Sequence, residues 1–228
     1  MEYQQVQRIA KDTMDYAKTI IRPGMHLMDI RRLCEEKMRE LGADSFWYWD
    51  VGAFVFSGDE TAVSVSGRVY ATSERTIEPD DIITIDLSPQ CGDTWGDYAR
   101  TIVLQDGRVA ENDAVLNEEW RNGLMMEELL HRELAAFASP STTFEELYEH
   151  INGIIAEKGF VNLDFSGNLG HSIVRQKDQR IYIERGNTAT LGEAAYFTFE
   201  PHISVRNSKY GYKMENIYYF DKGVLNEL

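Results

Sequence analysis

The sequence predicts an α+β fold of two similar αα-ββ halves, with a curved, mostly antiparallel sheet and the helices packed on its outer face. Three observations carry this. The order helix, helix, strands occurs twice, over about 3–110 and about 115–222, an internal duplication with no linker or low-complexity run between its copies. In each copy the second helical stretch stops at a glycine, Gly42 or Gly159, where a left-handed C-terminal cap is expected. In each copy, too, acidic residues sit at the ends of β-branched or aromatic runs, the signature of carboxylates mounted on strands.

Taken in order, Met1 to Ile20 read as an amphipathic helix with Val6, Ile9, Ala10, Met14 and Ala17 on one side. Arg22-Pro23-Gly24 breaks it, and a second helix runs over about 27–41. The strands follow: Ile82-Ile83-Thr84-Ile85 ends in Asp86, and Asp97 begins the run to Leu104, so the two acids should share a hairpin. A third helix over about 116–138 meets Ser139-Pro140-Ser141. The fourth, over about 143–158, opens on a capping box of Thr143 and Glu146 and carries the stripe Phe144, Leu147, Ile151, Ile154 and Ile155. Tyr196-Phe197-Thr198-Phe199 then ends in Glu200, and Glu215 precedes Asn216-Ile217-Tyr218-Tyr219-Phe220, a second hairpin with two acids. A pseudo-twofold between the halves would bring all four carboxylates to one seam, within a single domain spanning 1–228.

The chain has 228 residues, 43% of them hydrophobic, enough to bury a full core. A formal net charge of −15 without a Lys/Arg cluster excludes nucleic acid as a partner, because a phosphate backbone would be repelled. No apolar stretch is long enough for a membrane span or signal core, and Cys34 and Cys91 make no disulfide framework. The expectation is a cytoplasmic protein without membrane or nucleic-acid partners, with room for a homodimer.

Asp86, Asp97, His171, Glu200 and Glu215 form the candidate metal-ligand set. Four carboxylates and one imidazole make oxygen-rich, mixed ligation, suited to Mn, Co, Fe or Zn and unlike a thiolate-bound structural zinc. Four carboxylates also balance two divalent ions, and a water between two cations is deprotonated near neutral pH. His202 lies two residues beyond Glu200, so a strand would place both on one face, where His202 could bind substrate or donate a proton. Lys213 stands in the same relation to Glu215.

The segments IEPDDIITIDLSPQCGDTWGDYARTIVL (77–104), NLGHSIV (168–174), YFTFEP (196–201) and GYKMENIYYF (211–220) resemble, in order and spacing, those of the creatinase/methionine aminopeptidase superfamily of pita-bread metalloenzymes. The resemblance spans nearly the whole chain and implies the pita-bread fold. It implies that Asp86 chelates one metal, that His171 and Glu200 hold the other, and that Asp97 and Glu215 bridge. Glu200 would also move the proton to the leaving group, making Glu200 and His202 the catalytic candidates. Arg100 matches a structural position, and Lys213 stands where prolidase-like relatives carry Arg, as a cation that orients a carboxylate.

Two histidines usual in peptidases of that superfamily have no counterpart, since Ser66-Gly67-Arg68-Val69-Tyr70 contains none and Asp178 occupies the other position. Such groups stabilise the tetrahedral intermediate. The reading is therefore an aminopeptidase-like hydrolase with two divalent ions and a metal-bridging hydroxide, slow or narrow in specificity, acting on a small peptide or peptide-like C–N bond. A small-molecule amidohydrolase or lyase on the same scaffold is the alternative, ahead of a non-catalytic binding module. Glu128 and His131 form an E-x-x-H pair without the second pair that a helical di-iron site needs. The run Phe46-Trp47-Tyr48-Trp49 suits either core packing or an aromatic wall at a substrate mouth.

Overall fold

The structure, a computed structural model, describes residues 2–228; Met1, counted in the expected first helix, lies outside the described residues. Helix α1 (Tyr3–Ile20) and α2 (Leu27–Glu40) precede strands β1 (Ser45–Phe46), β2 (Ala53–Ser57), β3 (Asp81–Leu87), β4 (Pro89–Cys91), β5 (Thr94–Trp95), β6 (Tyr98–Gln105) and β7 (Arg108–Val109). The second half gives α3 (Glu118–Phe137), α4 (Phe144–Glu157), β8 (Phe160–Asn162), β9 (Phe197–Phe199), β10 (His202–Val205), β11 (Tyr212–Asp221) and β12 (Val224–Glu227). All four helices lie within two residues of the expected bounds. Thr143 and Glu146 close the capping box that starts α4, and Gly42 (φ +112°) and Gly159 (φ +81°) follow the ends of α2 and α4.

The main sheet runs β2-β3-β6-β11-β10-β8, with β7 paired to β6 and both β9 and β12 paired to β11, and its pairs are antiparallel. Its outward side chains pack under the helices. Ile83, Ile85, Leu87, Ile102 and Leu104 meet Val6, Ile9, Met14, Ile30 and Met38, whereas α3 and α4 bring Leu130, Leu134, Phe144 and Leu147 onto Phe197, Phe199, Ile203 and Tyr212. Each such buried side chain contributes roughly 1.5–3 kcal/mol, which holds the helices against the outer face of the sheet and leaves the opposite face to the acids.

One expectation needs refinement. Asp86 lies in β3, which pairs with β6, but Asp97 sits in the link just before β6, and the connection between β3 and β6 is itself a small hairpin, β4-β5, that joins β1 in a separate three-stranded sheet. Gly92 (φ +60°) turns that hairpin.

Candidate metal centre

Strand register alone assembles most of the site. Asp86 pairs with Ala99, and Ala99 pairs with Glu215; Asn216 pairs with Phe199, so Glu215 and Glu200 face each other one step further along. Directly opposed residues share a face, giving one row of Asp86, Ala99, Glu215 and Glu200. The small Ala99, fully buried, leaves the row an open floor. The next row on the same face holds Thr84, Thr101, Lys213 and His202, through the pairs Thr84–Thr101 and His202–Lys213. Asp97 lies two residues before Ala99 and therefore on this face as well.

His171 reaches the row from outside the main strands. Its N–H donates to Thr198 Oγ1 (2.9 Å), and Thr198 N–H donates back to the His171 carbonyl (2.7 Å). The approach is close enough that a Cβ at Gly170 (φ +141°) would lie 2.3 Å from the Thr198 carbonyl oxygen, which is why only glycine fits before His171. His171 Nδ1 is 3.2 Å from the Ser172 carbonyl, an acceptor, so Nδ1 carries the proton and Nε2 is left with its lone pair. Nε2 faces Glu200 Oε1 at 3.5 Å and Asp97 Oδ2 at 3.8 Å. On the other side, Asp86, Asp97 and Glu215 each bring an oxygen within 4.8 Å of the others. All five candidate ligands are thus brought together, with Asp97 common to both groupings.

The electrostatics are those of buried acids short of cations. Burial, then the neighbouring Asp86 and Glu200, hold the Asp97 carboxyl well above the usual range; burial, then Asp97, do the same to Glu215. Neither Glu215 oxygen has a hydrogen-bond partner, although both are buried. Burial also raises Asp86, against the pull of Lys213. Glu200 goes the other way: burial opposes ionisation, but the Lys213 ammonium keeps it below its ordinary value. Burial pushes His171 down to about 4, leaving a neutral imidazole fit to ligate. A buried carboxylate with no hydrogen-bond partner, beside other carboxylates and a neutral imidazole, is the donor chemistry a divalent cation satisfies.

His202 occupies the pocket wall near Glu200, but its Nε2 is 2.7 Å from the Thr61 carbonyl and must donate to it. Burial takes its pKa to about 4, so Nδ1 is an acceptor. Of the two expected roles, binding substrate and donating a proton, this tautomer suits the first, with Nδ1 as a hydrogen-bond acceptor. Lys213 Nζ lies 2.6 Å from Asp86 Oδ2, 3.0 Å from Glu200 Oε2 and 3.6 Å from Glu215 Oε2. Arg100 acts from behind, donating to the Glu215 carbonyl and to Asn216 Oδ1 (2.7 Å each). The Glu128/His131 pair is spent elsewhere, Glu128 on Asn112 and His131 on Tyr218 Oη and the Met214 carbonyl.

The acids open into a cavity of about 420 Å³. Trp47 and Tyr48 line it and Phe46 packs in the core, the two expected uses, whereas Trp49 is exposed and serves neither. Arg180, Tyr182 and Asp164 also line the cavity, none of them marked by periodicity in the sequence. Arg180 lies 4.8 Å over the Trp47 ring.

Gln7 is the other group that sequence reasoning missed. It is buried on α1, where its Nε2 donates to the Asp97 carbonyl (2.7 Å) and its Oε1 accepts from Asp97 N–H (3.0 Å). The available signal was a polar residue inside the apolar stripe between Val6 and Ala10. Because loss of an outer partner of a metal ligand commonly costs about 10–100-fold in affinity, Gln7→Leu should weaken Mn²⁺ binding by that order, read by calorimetric titration, with helix content unchanged.

Comparison with known proteins settles the lineage. The sequence profile of metallopeptidase family M24 matches residues 2–222. The chain belongs to metallopeptidase family M24. With it the chain joins the creatinase/methionine aminopeptidase superfamily, and the enzyme class expected from the sequence, a metallopeptidase-like hydrolase, holds at the level of the family. A methionine aminopeptidase of Helicobacter pylori is 25% identical over 194 residues, covering 80% of this chain and 70% of that protein. Among solved structures, a prolidase from Pyrococcus furiosus superposes with TM-score 0.81 at 23% identity, and an X-Pro aminopeptidase from Thermotoga maritima with 0.80 at 22%. Each comparison covers 98% of this M24 chain, which spans only 61% and 58% of those longer proteins. A methionine aminopeptidase from Thermotoga maritima is matched over 98% of this chain and 93% of its own length, with TM-score 0.74 and 14% identity. These likenesses establish the pita-bread fold. Among the described residues no helix is long and apolar enough to cross a membrane.

Proposed function

We propose that this M24 chain is a metal-dependent, aminopeptidase-like hydrolase that cleaves a short peptide or peptide-like C–N bond in the cavity beneath Trp47 and Tyr48. The observation that carries the reading is Glu215: a fully buried carboxylate with two unbonded oxygens, ringed by Asp86, Asp97 and Glu200. Asp86, Asp97, His171, Glu200 and Glu215 would hold up to two divalent ions, Mn, Co, Fe or Zn. Bound there, such ions supply Lewis acidity and acidify water.

The protein's own groups do the rest. Glu200, kept ionised by Lys213, would take up a proton and pass it to the leaving nitrogen. His202 Nδ1 accepts a hydrogen bond from a substrate N–H. The aromatic wall excludes water, and Arg180 offers a cation to a substrate carboxylate. The net charge and two free buried cysteines fit a cytoplasmic enzyme. Because the two usual histidines are replaced, turnover on standard dipeptide, Met-peptide and Xaa-Pro-peptide panels is expected to be slow or confined to few substrates, and to require added Mn²⁺, Co²⁺ or Fe²⁺. Robust cleavage of ordinary Met-peptides would contradict that narrowness, and turnover indifferent to chelator would contradict the metal.

A thermal-shift titration tests the metal separately. Asp97 and Glu215 have folded-state pKa values raised above those of the unfolded chain. Their contribution to the metal-free protein is therefore present below about pH 4 and lost as pH rises through the folded-state values. Metal binds the ionised form, so Mn²⁺ should stabilise more at pH 8 than at pH 5. At 100 times Kd the gain is about 2.7 kcal/mol, or roughly 5–10 °C for a chain of this size.

A further inference from the structure

The donors of this centre divide unequally between its two sides. On one side, His171 Nε2 lies 3.5 Å from Glu200 Oε1 and 3.8 Å from Asp97 Oδ2. On the other, the Lys213 ammonium already stands among the oxygens, 2.6 Å from Asp86, 3.0 Å from the second oxygen of Glu200 and 3.6 Å from Glu215. Its placement is built into the sheet. Lys213 follows from register with His202, and Thr101 Oγ1 pins its backbone, accepting from its N–H (2.8 Å) and donating to its carbonyl (3.2 Å). The side chain is only 15% exposed, so it has little water to retreat into.

An ammonium and a metal ion draw on the same carboxylate lone pairs, and two cations a few ångströms apart in a dry cavity repel strongly. Asp86, bonded to Lys213 at 2.6 Å, is the donor most committed to the ammonium; Asp97 and His171 make no contact with it at hydrogen-bond distance.

We propose that Lys213 serves as an internal cation in one of the two metal positions, so that the chain holds a single divalent ion tightly, on the His171 side, and admits a second at Asp86 only by displacing the ammonium. This rests on the metal-centre reading above and adds its stoichiometry and the order of filling. Lys213 reaches the ligand oxygens from the cavity wall, and its proposed task there is charge compensation.

The test counts ions and needs no turnover. Metal-free protein is titrated with Mn²⁺, following free Mn²⁺ by electron paramagnetic resonance, with elemental analysis after gel filtration. Wild type should retain one ion, any second binding at least tenfold more weakly. Lys213→Met should retain two of similar affinity, and Asp86→Asn should keep the one tight ion. Should Lys213→Met not fold, the Asp86→Asn count still decides, because loss of the tight ion there overturns the proposal. Two ions of equal affinity in wild type, unchanged in Lys213→Met, would also overturn it while leaving the metal centre intact. No ion in any form would overturn the metal centre and the proposal with it.

Discussion

Asp97→Ala should strip the centre of its metal, whereas Asp86→Ala should spare the tighter ion. Asp97 is the acid common to both groupings: one oxygen joins the cluster with Asp86 and Glu215, and Oδ2 faces His171 at 3.8 Å. Removing it takes a donor from every position at once. Since loss of an outer partner alone costs about 10–100-fold, loss of this carboxylate should cost at least about 100-fold in Mn²⁺ affinity, measured by calorimetric titration. Asp86 belongs to one grouping only and is bonded to Lys213. Equal losses in the two variants would show that the two sides are not distinct. The metal-free Asp97→Ala protein should also be no less stable than metal-free wild type at pH 8, because it lacks a buried charge whose ionisation burial opposes.

Glu200→Gln should lower turnover about 10²–10⁴-fold, the range spanned by a lost acid–base group. The carboxylate is divided between two tasks. Oε1 accepts from Thr198 Oγ1 at 3.2 Å and faces His171, while Oε2 meets Lys213 at 3.0 Å. An amide keeps the shape but presents an N–H₂ group to one of these neighbours and cannot take up the proton. The measurement is kcat at saturating Mn²⁺ with metal content determined on the same sample. Turnover close to wild type at equal metal load would remove Glu200 from the proton path and leave it a ligand.

The sequence carried the fold far because its strong signals were local. The Thr143/Glu146 capping box, the glycines that close α2 and α4, and the apolar stripes each report one element, and the four helices fell where these signals put them. The acids were legible for a related reason: a carboxylate at the end of an Ile- or Phe-rich run is unusual enough to mark a strand with a task. Which acids face each other depends on register, and register follows from pairings such as Asp86–Ala99–Glu215 that no single segment displays.

What stayed hidden came from longer range. Gln7 acts on Asp97 across 90 residues, with only a polar interruption of a helical stripe to betray it. Arg180, Tyr182 and Asp164 enter the cavity from segments without periodicity. The β4-β5 hairpin between the two aspartates is hidden because its strands are only three and two residues long, too short to show a period. His202 was found, but its tautomer depended on the carbonyl of Thr61, 141 residues away.

Anomalous diffraction from crystals grown with Mn²⁺ tests the metal centre most directly. The account predicts a strong peak bounded by His171, Asp97, Glu200 and Glu215, with any peak beside Asp86 weaker; no peak among these residues, or manganese held elsewhere by other side chains, would contradict it.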